Sequence, residues 1–224
     1  MKVMVLGSTG LTGGLLVKKL LGNPAITTVV APVRRPLGWS HPNLESPVID
    51  FDDMAAHAGG FSVDVLVCCL GTTIKKAGSQ EAFRKVDYGY ALNAASLAKE
   101  AGAKACILMS AIGASSRSSV FYSRVKGELE DAIRALQFSS LSIYQPSLLL
   151  GQREEHRTAE ALGMAVMPAA NRALIGPLRK YRAIEAETIA AAMTNEVSRI
   201  DAGRCVGVNV FVRQYSDIVA LARF

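Results

Sequence analysis

The stretch KVMVLGSTGLTG, residues 2–13, is a short apolar run followed by three glycines, Gly7, Gly10 and Gly13. A strand that ends at Gly7 and turns tightly into a helix leaves free backbone N–H groups at the helix N-terminus, where the helix dipole adds partial positive charge. Glycine suits such a turn because a side chain would block the approach of backbone to phosphate or of helix to strand. The stretch predicts a loop that binds the pyrophosphate of a dinucleotide; the alternative is a plain glycine-rich turn, since the spacing differs from the commonest fingerprint.

Beyond this loop, short apolar runs alternate with helical patterns along the chain. Helices are predicted from the glycine loop to about residue 22 and over residues 80–101, 118–136, 185–197 and 216–224. Strands are predicted at residues 3–6, 27–33, 46–49, 63–70, 105–109, 141–144 and 205–212. This alternation indicates an α/β fold, a Rossmann-like doubly wound parallel sheet with helices on both faces. No linker divides the chain, so residues 1–224 are expected to form one domain, with residues 151–224 as a capping and substrate-pocket portion.

The composition is that of a globular protein, with 50% hydrophobic and 20% charged residues and a formal net charge of +6. The basic residues are scattered, which favours attraction of a polyanionic cofactor over nucleic-acid binding. No secretory signal and no apolar run of about 18 residues is present, so we expect a cytoplasmic protein without a membrane span. The four cysteines and three histidines share no metal-ligand spacing, which predicts free, buried thiols and no metal site.

A second motif, YSRVK, places Tyr122 and Lys126 four residues apart on a predicted helix. Such a pair shares one helix face, so the ammonium can lie near the phenol and lower the pKa of Tyr122 towards neutrality. Tyr122 is therefore a candidate general acid or base. Ser110 closes the strand ACILMS at its carboxyl end, where a hydroxyl could bind a substrate carbonyl. The alternative is an exposed Tyr–Lys pair without a chemical role.

Together, the three spaced glycines, a serine ending the fifth strand and Tyr-x-x-x-Lys on the next helix resemble the short-chain dehydrogenases/reductases. More narrowly, three further blocks resemble the atypical branch typified by the Tat-interacting oxidoreductase-like protein; they read CCLGTTIKKAGSQEAFRKVDYGYAL, SAIGASSRSSVFYSRVKGELE and QPSLLLGQREEHR. The resemblance runs from Val3 to about Arg157. It implies an oxidoreductase whose catalytic residues are Ser110, Tyr122 and Lys126.

The resemblance also implies NADPH as the cofactor. It places Asp50 and Phe51 beside the adenine, the loop after the fourth strand under the adenosine ribose, and Pro146 near the nicotinamide. The implied cofactor-binding residues are Gly7, Ser8, Thr9, Gly10, Leu11, Thr12, Arg34, Arg35, Asp50, Phe51, Leu70, Gly71, Thr72, Tyr122, Lys126 and Pro146.

Arg34 and Arg35 support NADPH on physical grounds. They follow the second predicted strand, where an NAD enzyme tends to carry an acidic residue for the ribose hydroxyls. A carboxylate there would repel a 2′-phosphate, whereas guanidinium groups bind phosphate through charge-assisted hydrogen bonds. The alternative is a solvated arginine pair.

Two residues depart from the family pattern. Asp87 stands where many extended members carry an asparagine that helps hold a proton-relay water, and Ser147 replaces a glycine often found beside the proline. The aspartate changes the charge balance around Lys126.

Two functions follow from these observations. In an NADPH-dependent reductase of a carbonyl or conjugated alkene, Ser110 orients the substrate oxygen, Tyr122 donates the proton and Lys126 holds the nicotinamide ribose. The alternative is a non-catalytic NADP(H)-binding regulator that signals the cofactor state to a protein partner. Residues 152–185 are expected to shape the pocket for a small-molecule substrate that the sequence does not identify, and helices could form a homodimer.

Overall fold

The computed structural model describes residues 1–151, 174–201 and 209–224. Seven parallel strands of these residues form one central sheet in the spatial order 3-2-1-4-5-6-9. The strands are β1 (Lys2–Leu6), β2 (Thr28–Val30), β3 (Leu44–Glu45), β4 (Val65–Cys68), β5 (Ala105–Met109), β6 (Ser140–Tyr144) and β9 (Asn209–Arg213). A separate parallel pair consists of β7 (Leu149–Leu150) and β8 (Ile184–Glu185).

Helices cover both faces of the central sheet. The α-helices are α1 (Leu11–Leu21), α2 (Ile74–Ala77), α3 (Gln80–Arg84), α4 (Ala91–Glu100), α5 (Phe121–Ala135), α6 (Ala186–Asp201) and α7 (Tyr215–Leu221). A π-helical segment, Lys85–Tyr90, joins α3 to α4, and 3-10 segments occupy Phe51–Phe61 and Gly176–Tyr181. Among the described helices, none has the length and apolar character needed to cross a bilayer.

The core has two layers because successive strand side chains point to opposite faces of the sheet. Val3 and Val5 of β1 pack with α1, α6 and α7, whereas Met4 and Leu6 pack with α4, α5 and the first 3-10 segment. The central strands are buried on both faces, which explains why β4 and β5 read as uninterrupted apolar runs.

Two glycines bring α1 onto the end of β1. Gly7 adopts a φ of +79°, and a Cβ there would lie 2.6 Å from the carbonyl oxygen of Cys69. A Cβ on Gly13 would lie 2.2 Å from the carbonyl oxygen of Gly7. Neither position has room for a side chain, so the glycine spacing is a packing requirement between helix and strand.

The doubly wound parallel sheet predicted from the sequence is confirmed, with differences at several element ends. The second strand is predicted at residues 27–33, but β2 ends at Val30. Beyond it, Val33 forms an isolated parallel bridge with Val48. Pro32 lies between Val30 and Val33 and has no N–H for the ladder. The third strand lies at Leu44–Glu45 instead of residues 46–49, and the predicted helix over 80–101 contains the π-helical segment.

The carboxyl-terminal portion is integrated into this sheet. Strand β9 pairs with β6, and α6 and α7 cover one face of the sheet. Two segments lie outside the described residues, 152–173 and 202–208. The first belongs to the predicted pocket segment, and the second contains the start of the strand predicted from residue 205.

Candidate cofactor and active site

The glycine loop lies at the carboxyl edge of the sheet, where ligands of open α/β folds bind. Gly10 is the N-cap residue immediately before α1, and no side chain caps that end of the helix. The hydroxyls of Ser8 and Thr12 are buried and have no hydrogen-bond partner among the described residues. Since buried polar groups are normally paired, two unpaired hydroxyls beside an uncapped helix N-terminus fit the phosphate oxygens of a dinucleotide.

A buried ion pair lies behind the loop that follows β4. The Nζ of Lys126 is 2.7 Å from Oδ1 of Asp87, and the two side chains are only 5% and 1% exposed. The other carboxylate oxygen of Asp87 accepts a hydrogen bond from the backbone N–H of Thr72, at 2.8 Å. Asp87 therefore connects Lys126 on α5 to the loop that the family resemblance places under the adenosine ribose.

The charge of Lys126 depends on this pair. Burial is the largest influence and lowers the pKa of Lys126, but the attraction of Asp87 together with smaller contributions from Tyr122 and Cys68 outweighs it, so that the pKa is raised above its ordinary value. Lys126 is thus an ammonium in the folded protein. Because its charge is balanced at 2.7 Å by a carboxylate, its pull on the phenol of Tyr122 is weaker than the sequence spacing alone predicts.

Tyr122 lies on the first turn of α5, at the same edge of the sheet. Its side chain is 37% exposed, and its ring packs against Phe83 with 5.6 Å between the ring centroids. This contact holds the ring while leaving part of the side chain open to solvent. Tyr122 is therefore accessible to a substrate, as a proton donor must be.

Ser110 is buried, and its hydroxyl donates a hydrogen bond to Oε1 of Glu130 at 2.5 Å. The same carboxylate accepts hydrogen bonds from Gln145, at 2.9 Å, and from Arg134, at 3.1 Å. A serine hydroxyl has only one proton to donate. In this arrangement Ser110 presents acceptor lone pairs, and its predicted role of donating to a substrate carbonyl stays a prediction.

Sequence reasoning missed Glu130. The available signal was its spacing, because Glu130 follows Lys126 by four residues and shares that face of α5. The polar contact with Ser110 joins α5 to the end of β5 and could not be inferred from helix spacing alone.

The predicted adenine side of the site is built around the start of the first 3-10 segment. Asp50 caps this segment by accepting a hydrogen bond from the N–H of Asp52, and Phe51 is buried against Tyr90. A mainly apolar cavity of about 290 Å³ lies beside Ile49 and is lined by the end of the 3-10 segment, including Gly60 and Phe61; neither Asp50 nor Phe51 lines it.

The remaining predicted contacts lie along the same edge. Arg34 and Arg35 are exposed after β2, and neither forms an ion pair with a described residue. Leu70 and Thr72 are partly buried, Gly71 is exposed, and Pro146 is buried beyond β6. Next to Pro146, Ser147 donates its hydroxyl to the carbonyl oxygen of Arg182.

Three of the four cysteines, Cys68, Cys69 and Cys106, are free and buried, as predicted, and Cys205 lies outside the described residues. Burial raises the pKa of the Cys68 thiol to about 11, so it is protonated at neutral pH. Within the described part of the chain, no three His, Cys, Asp or Glu side chains cluster as metal ligands would.

The fold and this edge define a nicotinamide-dinucleotide-binding protein. A family described as NAD(P)H-binding matches residues 7–143. HTATIP2 of Rattus norvegicus is 40% identical over 164 residues, covering 71% of this chain and 67% of the relative. FMP52 of Eremothecium gossypii is 32% identical over 206 residues, covering 89% of this chain and 92% of the relative. The chain belongs to the NAD(P)H-binding family, in the atypical short-chain dehydrogenase/reductase branch that includes HTATIP2.

Solved structures support the fold. MoeE5 in complex with UDP-glucose and NAD superposes with a TM-score of 0.69 at 14% identity, covering 99% of this chain and 81% of that one. A UDP-glucuronic acid 4-epimerase from Bacillus cereus, solved with NAD, gives a TM-score of 0.68 at 13% identity, covering 96% and 77%. At this level of identity, the likeness concerns the architecture alone.

The prediction of a cytoplasmic location is wrong. FMP52 of Candida albicans, 38% identical over 160 residues that cover 69% of this chain and 70% of the relative, is named a mitochondrial protein, as is FMP52 of Eremothecium gossypii. The lack of a secretory signal does not distinguish the two locations, because that signal is one of several kinds of targeting segment.

We expect Gly10→Val to abolish NADPH binding and leave the protein folded. Gly10 has an ordinary φ of −84°, and its Cβ would meet only the carbonyl oxygen of Gly7, at 3.2 Å. A branched side chain there would separate the N–H groups from the pyrophosphate. NADPH titration and circular dichroism measure the two effects.

Two matched variants control this test. Gly22→Val, at the far end of α1, should leave binding unchanged, since its Cβ lies no closer than 3.6 Å to any neighbour. Gly13→Ala should lose about 3 kcal/mol or more of folding free energy, because its Cβ has no room. Normal NADPH binding by Gly10→Val would show that this loop is not the phosphate site.

Proposed function

We propose that this protein is an NADP(H)-dependent oxidoreductase that reduces a carbonyl or conjugated alkene of a small molecule. One observation carries the proposal: the accessible Tyr122 lies one helical turn from a buried, charged Lys126, which Asp87 connects to the loop after β4. The glycine loop follows β1 and the Thr72 loop follows β4, and these strands are parallel neighbours. This supports a proton donor and a cofactor site at one edge of the sheet.

A bound reduced nicotinamide would supply the hydride. Tyr122 would give its phenolic proton to the substrate oxygen as negative charge develops there, and water would reprotonate the exposed side chain. Lys126 would hold the hydroxyls of the nicotinamide ribose through its N–H donors. Asp87 balances the positive charge of Lys126, so the ammonium draws the phenolic proton of Tyr122 away less strongly. This suits a reductase, because a proton donor must keep its proton until the substrate takes it.

A second candidate is a non-catalytic NADP(H)-binding regulator, and one contact favours it. The only hydroxyl proton of Ser110 goes to Glu130, so the serine as arranged cannot also donate to a substrate carbonyl. A regulator needs the cofactor site but no turnover, so activity separates the two proposals.

We infer a preference for NADPH over NADH from Arg34 and Arg35. Both are exposed just beyond β2, and in that part of the chain no described acidic side chain pairs with them. Their guanidinium groups would bind a 2′-phosphate through charge-assisted hydrogen bonds, which an NADH ribose cannot offer. We further propose that the protein forms a homodimer and that its substrate is a small molecule.

Replacing Arg34 and Arg35 together with alanine should weaken NADPH binding and leave NADH binding nearly unchanged. Each lost charge-assisted contact is worth about 1.5–3 kcal/mol, or roughly tenfold or more in the dissociation constant. Titrations of both cofactors test this, with Arg223→Ala as an exposed arginine control beyond α7. Equal affinities of the unmodified protein for NADPH and NADH would overturn the preference.

Tyr122→Phe should separate enzyme from regulator. The change removes one hydroxyl, so folding and NADPH affinity should hardly change, while turnover should fall about 10²–10⁴-fold. NADPH oxidation with a panel of aldehydes, ketones and conjugated enals provides the measurement. Tyr88→Phe is the matched control. It removes the same hydroxyl from a tyrosine that is not predicted to take part in catalysis and whose ring lies 4.6 Å from the guanidinium carbon of Arg84.

A fully active Tyr122→Phe protein would exclude this mechanism. If the unmodified protein bound NADPH but oxidised none of it with any member of the panel, the regulator would be the better account.

A further inference from the structure

The π-helical segment places an aspartate against α5, the helix that carries Lys126. Asp87 lies in that segment, which joins α3 to α4, and its carboxylate faces Lys126 on α5. Interruptions of this kind are frequent at functional sites because they turn a side chain out of helical register. Both charged side chains are almost fully buried, an arrangement that is costly unless the charges are paired and hydrogen-bonded.

We propose that Asp87 is a positioning residue that keeps Lys126 permanently charged and ties it to the loop after β4, so that cofactor binding does not vary with pH. The proposal rests on the cofactor site proposed above and goes beyond it by assigning the control of its charge to Asp87.

The two contacts of Asp87, one ion pair and one hydrogen bond, require a carboxylate. One oxygen faces the Lys126 ammonium at 2.7 Å, and the other accepts the N–H of Thr72 at 2.8 Å. Both partners are donors, and only a carboxylate offers acceptor oxygens to both. An asparagine would turn its NH₂ group towards one of them, so the amide cannot reproduce both contacts.

The groups around Lys126 determine what the loss of Asp87 would do. Besides Asp87, Tyr122 on α5 and Cys68 on β4 act on its charge. Both add smaller attractions that raise the pKa of Lys126, and the Asp87 carboxylate supplies the largest one. Without that carboxylate, burial would dominate and lower the pKa of Lys126, and the ammonium would be lost as the pH rises.

The test is the pH dependence of NADPH affinity in Asp87→Asn. Between about pH 7 and 9.5 the unmodified protein should bind NADPH with a nearly constant dissociation constant, because the pKa of Lys126 is raised above its ordinary value. Over the same range, Asp87→Asn should lose affinity by about tenfold or more as the charge of Lys126 disappears. Fluorescence titration of NADPH measures both profiles.

Asp52→Asn is the matched control. It removes an exposed aspartate whose carboxylate lies 2.7 Å from Lys85, on the same π-helical segment. Its profile should stay flat. A merely structural role of Asp87 would lower stability but would leave the slope against pH unchanged, so a flat profile in Asp87→Asn would overturn the proposal.

An NMR titration of the Lys126 side chain without cofactor gives an independent readout, assigned by comparison with Lys126→Arg. In the unmodified protein its pKa should lie above the ordinary lysine value, and a pKa at or below the ordinary value would overturn the proposal even if Asp87→Asn failed to fold. A protein that bound no NADPH at any pH would refute the proposed function instead, and the NMR titration would still decide the role of Asp87.

Discussion

The buried ion pair between Lys126 and Asp87 is the interaction on which the candidate site depends. Each charge would be very costly in this position alone, and breaking such a pair by removing one partner typically costs about 3–5 kcal/mol. The pair also fixes geometry, because Asp87 holds the backbone of Thr72 with its second oxygen. Three segments that are distant in the sequence are thereby brought together where the strands end.

A second polar group lies beside this pair at the end of β5. Glu130 collects hydrogen bonds from Ser110, Gln145 and Arg134 in a place that excludes most water. Such a network is rigid when every member is satisfied, so the orientation of the Ser110 hydroxyl is determined by the protein. In the proposed reductase, a lysine paired with Asp87 and a serine hydrogen-bonded to Glu130 would suit a tyrosine that gives up its proton only to a bound substrate.

The sheet could be predicted from sequence because its signals are local. The apolar runs of β4 and β5 and the spacing of Gly7 and Gly13 report burial and close approach directly. The charge state of the site could not be predicted in this way. Tyr-x-x-x-Lys spacing suggests a lysine that acts on its tyrosine, whereas the partner that balances Lys126 comes from another helix. The hydrogen bond between Glu130 and Ser110 likewise depends on the packing of α5 against β5.

The most direct test of this account is a crystal structure of the protein grown with NADP⁺. The account predicts the pyrophosphate on the backbone N–H groups at the start of α1, within reach of the Ser8 and Thr12 hydroxyls. It also predicts the nicotinamide ribose on Lys126, with Asp87 still paired to that ammonium. A dinucleotide bound elsewhere, or a ribose that contacts neither Lys126 nor Tyr122, would contradict it.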